Sequence, residues 1–100
     1  MPRYVLLYKF TEQGAKNIRQ TVKRAGQVRQ ENARRGFTVE AVFWTQGPYD
    51  MVSIVDAPSE DAMMAAMISV VGAGNVTSTT LRAFDAPDMS RILAQAPDGE

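Results

Sequence analysis

Two β-rich runs, residues 37–46 and 49–56, stand on either side of Gly47-Pro48, and no other feature limits the folding of this chain so strongly. A Gly-Pro pair is a turn signal, and so short a connection joins neighbouring antiparallel strands. In the first run Val39, Ala41, Phe43 and Thr45 alternate with Glu40, Val42 and Trp44, as a pleated strand requires. The turn brings Trp44 and Tyr49 to one end of the hairpin. A buried indole N–H or phenol O–H needs a partner, and Asp50 lies close enough in sequence to be one.

The hairpin sits between two flanking units. Residues 4–10 alternate Tyr4, Leu6, Tyr8 and Phe10 with Val5, Leu7 and Lys9, which predicts a first strand. Thr11 is a candidate N-cap, and a helical region over about 12–35 follows, with a break near Gln20 and a second cap at Thr21. Its apolar stripe is narrow (Ile18, Val22, Ala25, Val28), with Lys16, Arg19 and Lys23 on the opposite flank and Gly36 as the stop. After the hairpin, Ser59 caps a helix over 60–71. It is apolar twice over: Met63, Met67 and Val70 form one stripe and Met64, Ile68 and Val71 another. The second stripe needs a cover, from the C-terminal segment or from another subunit.

The Gly72-Ala-Gly-Asn run ends a helix and opens a strand, the reverse of a phosphate-binding loop, so it reads as helix termination. A Thr-rich fourth strand over 76–84 and a short helix from Asp85-Ala86-Pro87 to about Leu93 complete one domain over 1–95, with a frayed tail at 96–100. The order is βαββαβ plus a terminal helix: an α+β, ferredoxin-like arrangement with a four-stranded antiparallel sheet. Helices cover one sheet face. If Tyr4, Leu6, Tyr8, Val42 and Trp44 share a face, that face is aromatic; alternation alone leaves open whether it meets the helices. Both faces are apolar, so the expected partner is a second copy of the chain, in a homodimer or higher oligomer.

Composition removes whole classes of chemistry. The chain holds no cysteine and no histidine, so disulfides, thiolate nucleophiles, Ser-His-Asp catalysis, imidazole-based zinc sites and proximal-His haem are out of reach. Acid–base work would fall to Asp, Glu, Tyr or Lys. Cysteine absence agrees with a reducing cytoplasm, and no apolar run nears the roughly 18 residues of a membrane span. A cytoplasmic chain without a signal peptide is the expectation. The net charge of zero conceals an asymmetry: residues 1–35 carry nine Lys/Arg against two acids, and residues 36–100 two against nine. The halves are expected to interleave and neutralise one another.

The run Trp44-Thr45-Gln46-Gly47-Pro48-Tyr49-Asp50 resembles the Gly-x-Tyr-Asp signature of the GYD domain family, small bacterial and archaeal proteins. Residues 4–11, Gln13-Gly14, Gly74-Asn75-Val76 and residues 80–84 are similar as well, so the resemblance covers about 3–94. It implies a ferredoxin-like fold of the dimeric α+β-barrel type. It supplies no catalytic residues and no cofactor or metal.

Three functions remain to be weighed. A homo-oligomeric small-molecule-binding or structural module would use the candidate cluster Tyr8, Trp44, Tyr49, Asp50 and Arg82, in which an aromatic wall meets an acid and a cation. Alternatively these side chains only tie the hairpin end and fill the core. A cofactor-independent oxygenase or isomerase would use Asp50 as base, Arg82 as anion stabiliser and Tyr8 or Tyr49 as proton donor; this rests on fold analogy. An RNA-recognition domain would place stacking aromatics and basic residues on its third strand. Residues 49–56 are acidic with one aromatic, so no nucleic-acid partner is expected. Met63, Met64 and Met67 are packing residues and not a metal site.

Overall fold

A computed structural model describes residues 1–98; of the expected tail, Gly99 and Glu100 lie outside the described residues. Strand β1 (Arg3–Phe10) is followed by α1 (Glu12–Lys16), a 3-10 turn (Ile18–Gln20) and α2 (Thr21–Arg34). The hairpin β2 (Thr38–Trp44) and β3 (Met51–Asp56) leads into α3 (Glu60–Gly72), β4 (Val76–Ala83) and α4 (Ala86–Gln95). The sheet order is β2-β3-β1-β4, antiparallel at every pairing, which is the split βαβ topology.

The barrel implied by the family resemblance is not formed. The sheet is open, with β2 and β4 as its edges and two strands between them. Four strands are too few to close on themselves, since about eight make a filled barrel.

Local chemistry sets the boundaries. Thr11 Oγ1 accepts from the Gly14 N–H at 3.1 Å and Ser59 Oγ from the Ala62 N–H at 3.0 Å, so both caps form as expected. Asp85 and Asp88 complete a reciprocal capping box at the start of α4. Gly36 ends the α2 segment at φ +90°, a conformation that glycine adopts without the steric cost a Cβ would bring. Thr21 does not cap α2. It is the first helical residue, and its hydroxyl instead accepts from Trp44 Nε1 at 3.0 Å. The β2–β3 connection is longer than the Gly-Pro pair alone, because Thr45 to Asp50 lie outside the strands and are closed by Thr45 N–H donating to Asp50 O at 2.9 Å.

Register decides the faces. Tyr4, Leu6 and Tyr8 turn toward the helices and share a core with Phe37, Val55, Met63 and Ala66. A β-bulge between Val39 and Ala41 moves Val39 to this side and out of the expected alternation with Ala41 and Phe43. The opposite face is crossed by two rows, Ala41-Ile54-Val5-Leu81 and Phe43-Val52-Leu7-Thr79. Phe43 is 60% exposed there.

The α3 stripes separate as predicted. Met63 is buried and Met67 packs on the core, while Met64, Ile68 and Val71 stay exposed. Helix α4 does not cover them and buries none of its own residues; Met89 and Leu93 are exposed. The radius of gyration, 15.6 Å, exceeds the roughly 13 Å of a compact 100-residue domain, in keeping with a terminal helix that projects. No helix among the described residues is long and apolar enough to cross a membrane.

Candidate functional site

The five candidate residues occupy three places. Tyr8 and Trp44 belong to one cross-strand row, Trp44-Met51-Tyr8-Ser78, on the helix-facing side. Thr21 joins this row to α2, accepting from Trp44 Nε1 and lying 3.9 Å from Met51 Sδ. Tyr8 Oη is 3.4 Å from Ser53 Oγ, and burial pushes the phenol above its ordinary pKa, only partly offset by that hydrogen bond. Tyr8 therefore keeps its proton at neutral pH.

Asp50 and Tyr49 lie in the hairpin loop. Asp50 Oδ2 accepts from the Phe10 N–H at 2.8 Å, and the Asp50 N–H donates to Tyr8 O at 2.8 Å. The loop is thereby tied to the end of β1. The Tyr49 carbonyl accepts from Thr45 Oγ1 at 2.6 Å, and its ring lies 5.5 Å from Lys9 Nζ. Arg82 is at the other end of the sheet, paired in register with Tyr4. That is six residues along β1 from Phe10, about 20 Å at the strand rise. Its guanidinium stacks on Phe84 at 4.6 Å and donates to the carbonyls of Arg3 and Ala83. The structure thus gathers Tyr8 and Trp44, sets Tyr49 and Asp50 beside them in the loop, and places Arg82 apart.

Next to Arg82, the end of the open face carries an ion pair made through two hydrogen bonds. Arg3 Nε lies 2.9 Å from Asp56 Oδ1, with Glu40 at 3.8 Å from Arg3 Nη2. The hydrogen bond from Arg3 holds the Asp56 carboxyl below its usual pKa. Stability from a depressed carboxyl pKa is present above the unfolded value, about 3.9, and is lost as pH falls through the lower folded value. Asp56→Asn is expected to lower Tm by a few degrees at pH 7, with the gap to wild type narrowing as pH falls below about 3.9. Thermal scans from pH 7 to 3 measure this; a gap independent of pH would rule out the ion pair as its source. Arg3 is also the only side chain among the described residues whose ion pair links the basic and acidic halves. The other pairs are local to single helices, so interleaving neutralises little of the α2 charge.

A residue that sequence reasoning passed over is Arg24. The sheet-facing side of α2 carries Thr21, Arg24, Ala25 and Val28, whereas Val22, expected in the apolar stripe, is 68% exposed. Helical phase was the available signal: Thr21, Ala25, Val28 and Asn32 repeat at intervals of three and four, and Arg24 borders that line. Among the described residues no cluster of three or more acids could hold a metal.

The contacts that dock α1 fall on the segments that carry the family resemblance. Thr11 N–H donates to Asn75 O at 3.0 Å, Thr11 Oγ1 to Gly74 O at 2.6 Å, and Gln13 Nε2 to Ala73 O and Asn75 Oδ1. A family model described as the GYD domain matches residues 4–93. The chain belongs to the GYD domain family.

The signature of this GYD domain, Gly47 to Asp50, is therefore the loop that anchors β1, with Gly47 at φ +111° where a side chain would be strained. The chain is similar to a protein of Thermus thermophilus described as a glutamine synthetase and cystathionine beta-lyase binding protein. The two are 32% identical over 90 residues, covering 89% of this chain and 95% of the relative. No solved structure matches the chain.

Proposed function

We propose that this GYD domain is a non-catalytic binding module that associates with itself and with a metabolic enzyme through the open face of its sheet. The observation that carries this reading is the pair of rows on that face, apolar except at Thr79, with Phe43 at one edge and Leu81, which is 45% exposed, at the other. Apolar side chains at neighbouring positions on four strands form a continuous patch, and such patches mark association surfaces. The Thermus relative, described as a protein that binds two enzymes, supports the same reading.

The side chains suited to acid–base work favour binding over catalysis. The Asp50 carboxylate is engaged by a backbone N–H, and the Arg82 guanidinium is engaged by carbonyls about 20 Å away along β1. A nucleic-acid platform is disfavoured because the open positions of β1 and β3 hold Val5, Leu7, Val52 and Ile54, whereas Tyr4 and Tyr8 face the helices.

The test uses sedimentation velocity on the purified chain, alone and mixed with purified glutamine synthetase or cystathionine beta-lyase from the same organism. Self-association that rises with concentration, and co-sedimentation with at least one enzyme, are expected. Phe43→Glu, which puts a charge into the patch, is expected to weaken both by at least about tenfold while leaving Tm close to wild type. A chain that stays monomeric and ignores both enzymes, or a Phe43→Glu variant that associates like wild type, would overturn the assignment.

A further inference from the structure

The two helices do not seal the face of the sheet they cover. A cavity of about 210 Å³ lies between them and the strands, with Leu6, Tyr8, Ser53 and Val55 on its floor and Val28 and Met63 on its walls. Arg24 lines the same cavity, and its Nη2 is buried with no hydrogen-bond partner among the described residues. The other two guanidiniums at the rim are occupied. Arg29 Nη2 donates to Val39 O at 2.7 Å, and Arg35 Nη2 pairs with Glu31 at 2.8 Å. A buried N–H of a cation without an acceptor is costly, so folded proteins rarely retain one unless a ligand or water supplies the oxygen.

We infer that this cavity binds a small organic acid, its carboxylate on Arg24 and its apolar body over Leu6, Val55 and Met63. A guanidinium presents a planar fork of donors that matches a carboxylate, and its single positive charge balances one monoanion. The volume accommodates a short branched or aryl chain beside the guanidinium. Tyr8 Oη and Ser53 Oγ share only one long hydrogen bond, 3.4 Å, and retain capacity for a second polar group of the ligand. The site lies on the opposite side of the sheet from the proposed docking face, so each can fail without the other.

The experiment is an amide NMR titration of the ¹⁵N-labelled full chain with 4-methylpentanoate and with phenylacetate. The matching primary amides, 4-methylpentanamide and phenylacetamide, serve as neutral isosteres. Saturable shifts centred on Leu6, Tyr8, Val28 and Ser53 are expected for the acids, with the amides binding at least about tenfold more weakly. Arg24→Met is expected to weaken the acids by at least about tenfold while preserving the spectrum elsewhere. Equal binding of acid and amide, shifts away from the cavity, no saturation at millimolar acid, or full affinity in Arg24→Met would each overturn the proposal. Should Arg24→Met fail to fold, the acid-against-amide comparison on the wild-type chain still decides it.

Discussion

Gly14→Ala is expected to destabilise the protein by about 3 kcal/mol, a large share of the stability of a small domain. Gly14 is buried inside α1, and a Cβ there would run into the backbone carbonyl of Asn75. Neither side can yield cheaply. That carbonyl accepts from the Thr11 N–H at 3.0 Å, and the adjoining turn accepts Thr11 Oγ1 and Gln13 Nε2, so moving either backbone breaks several bonds at once. Gly26→Ala in α2 is the control, because nothing lies within 4 Å of the added methyl. It is expected to be neutral or to stabilise by about 0.5–1 kcal/mol, the helix-propensity difference. Urea unfolding with an unchanged slope would report both. Equal midpoints for the two variants would mean that α1 and the α3–β4 turn do not approach as closely as described.

Asp50→Ala is expected to cost about 1–3 kcal/mol, the penalty for leaving the Phe10 N–H without its carboxylate acceptor. The backbone bonds of Asp50 to Tyr8 and Thr45 are untouched by the substitution, so the loss isolates one charge-assisted hydrogen bond. Asp50→Asn retains an acceptor oxygen and is expected to lose less than half as much. Calorimetric Tm values for the three proteins establish the order wild type, Asn, Ala. If both variants kept wild-type stability and instead lost enzyme association or acid binding, Asp50 would be a contact residue and not a tie between loop and strand.

Much of the fold was legible one element at a time. Thr11, Ser59 and Asp85 lie at helix starts because a side-chain oxygen placed just before a helix satisfies an N–H that no earlier carbonyl can reach. The alternation of Tyr4, Leu6 and Tyr8 marked a strand, and the double stripe of α3 marked a helix with one side left over. The site was less legible. Tyr8 and Trp44 share a row and Asp50 closes the adjoining loop, yet Arg82 belongs to the other end of β1. Register, which depends on pairing between distant segments, decides such neighbours.

By itself the sequence determined the order of elements, the absence of thiol and imidazole chemistry, and the Gly-x-Tyr-Asp loop that identifies the family. These follow from local backbone preferences and from which functional groups exist at all. Tertiary structure decided which sheet face meets the helices, how a bulge re-aims Val39, and that Arg24 rather than Val22 turns inward. The reason is physical. Periods of two and 3.6 state which residues share a side, but only the packing of one element on another states what that side faces.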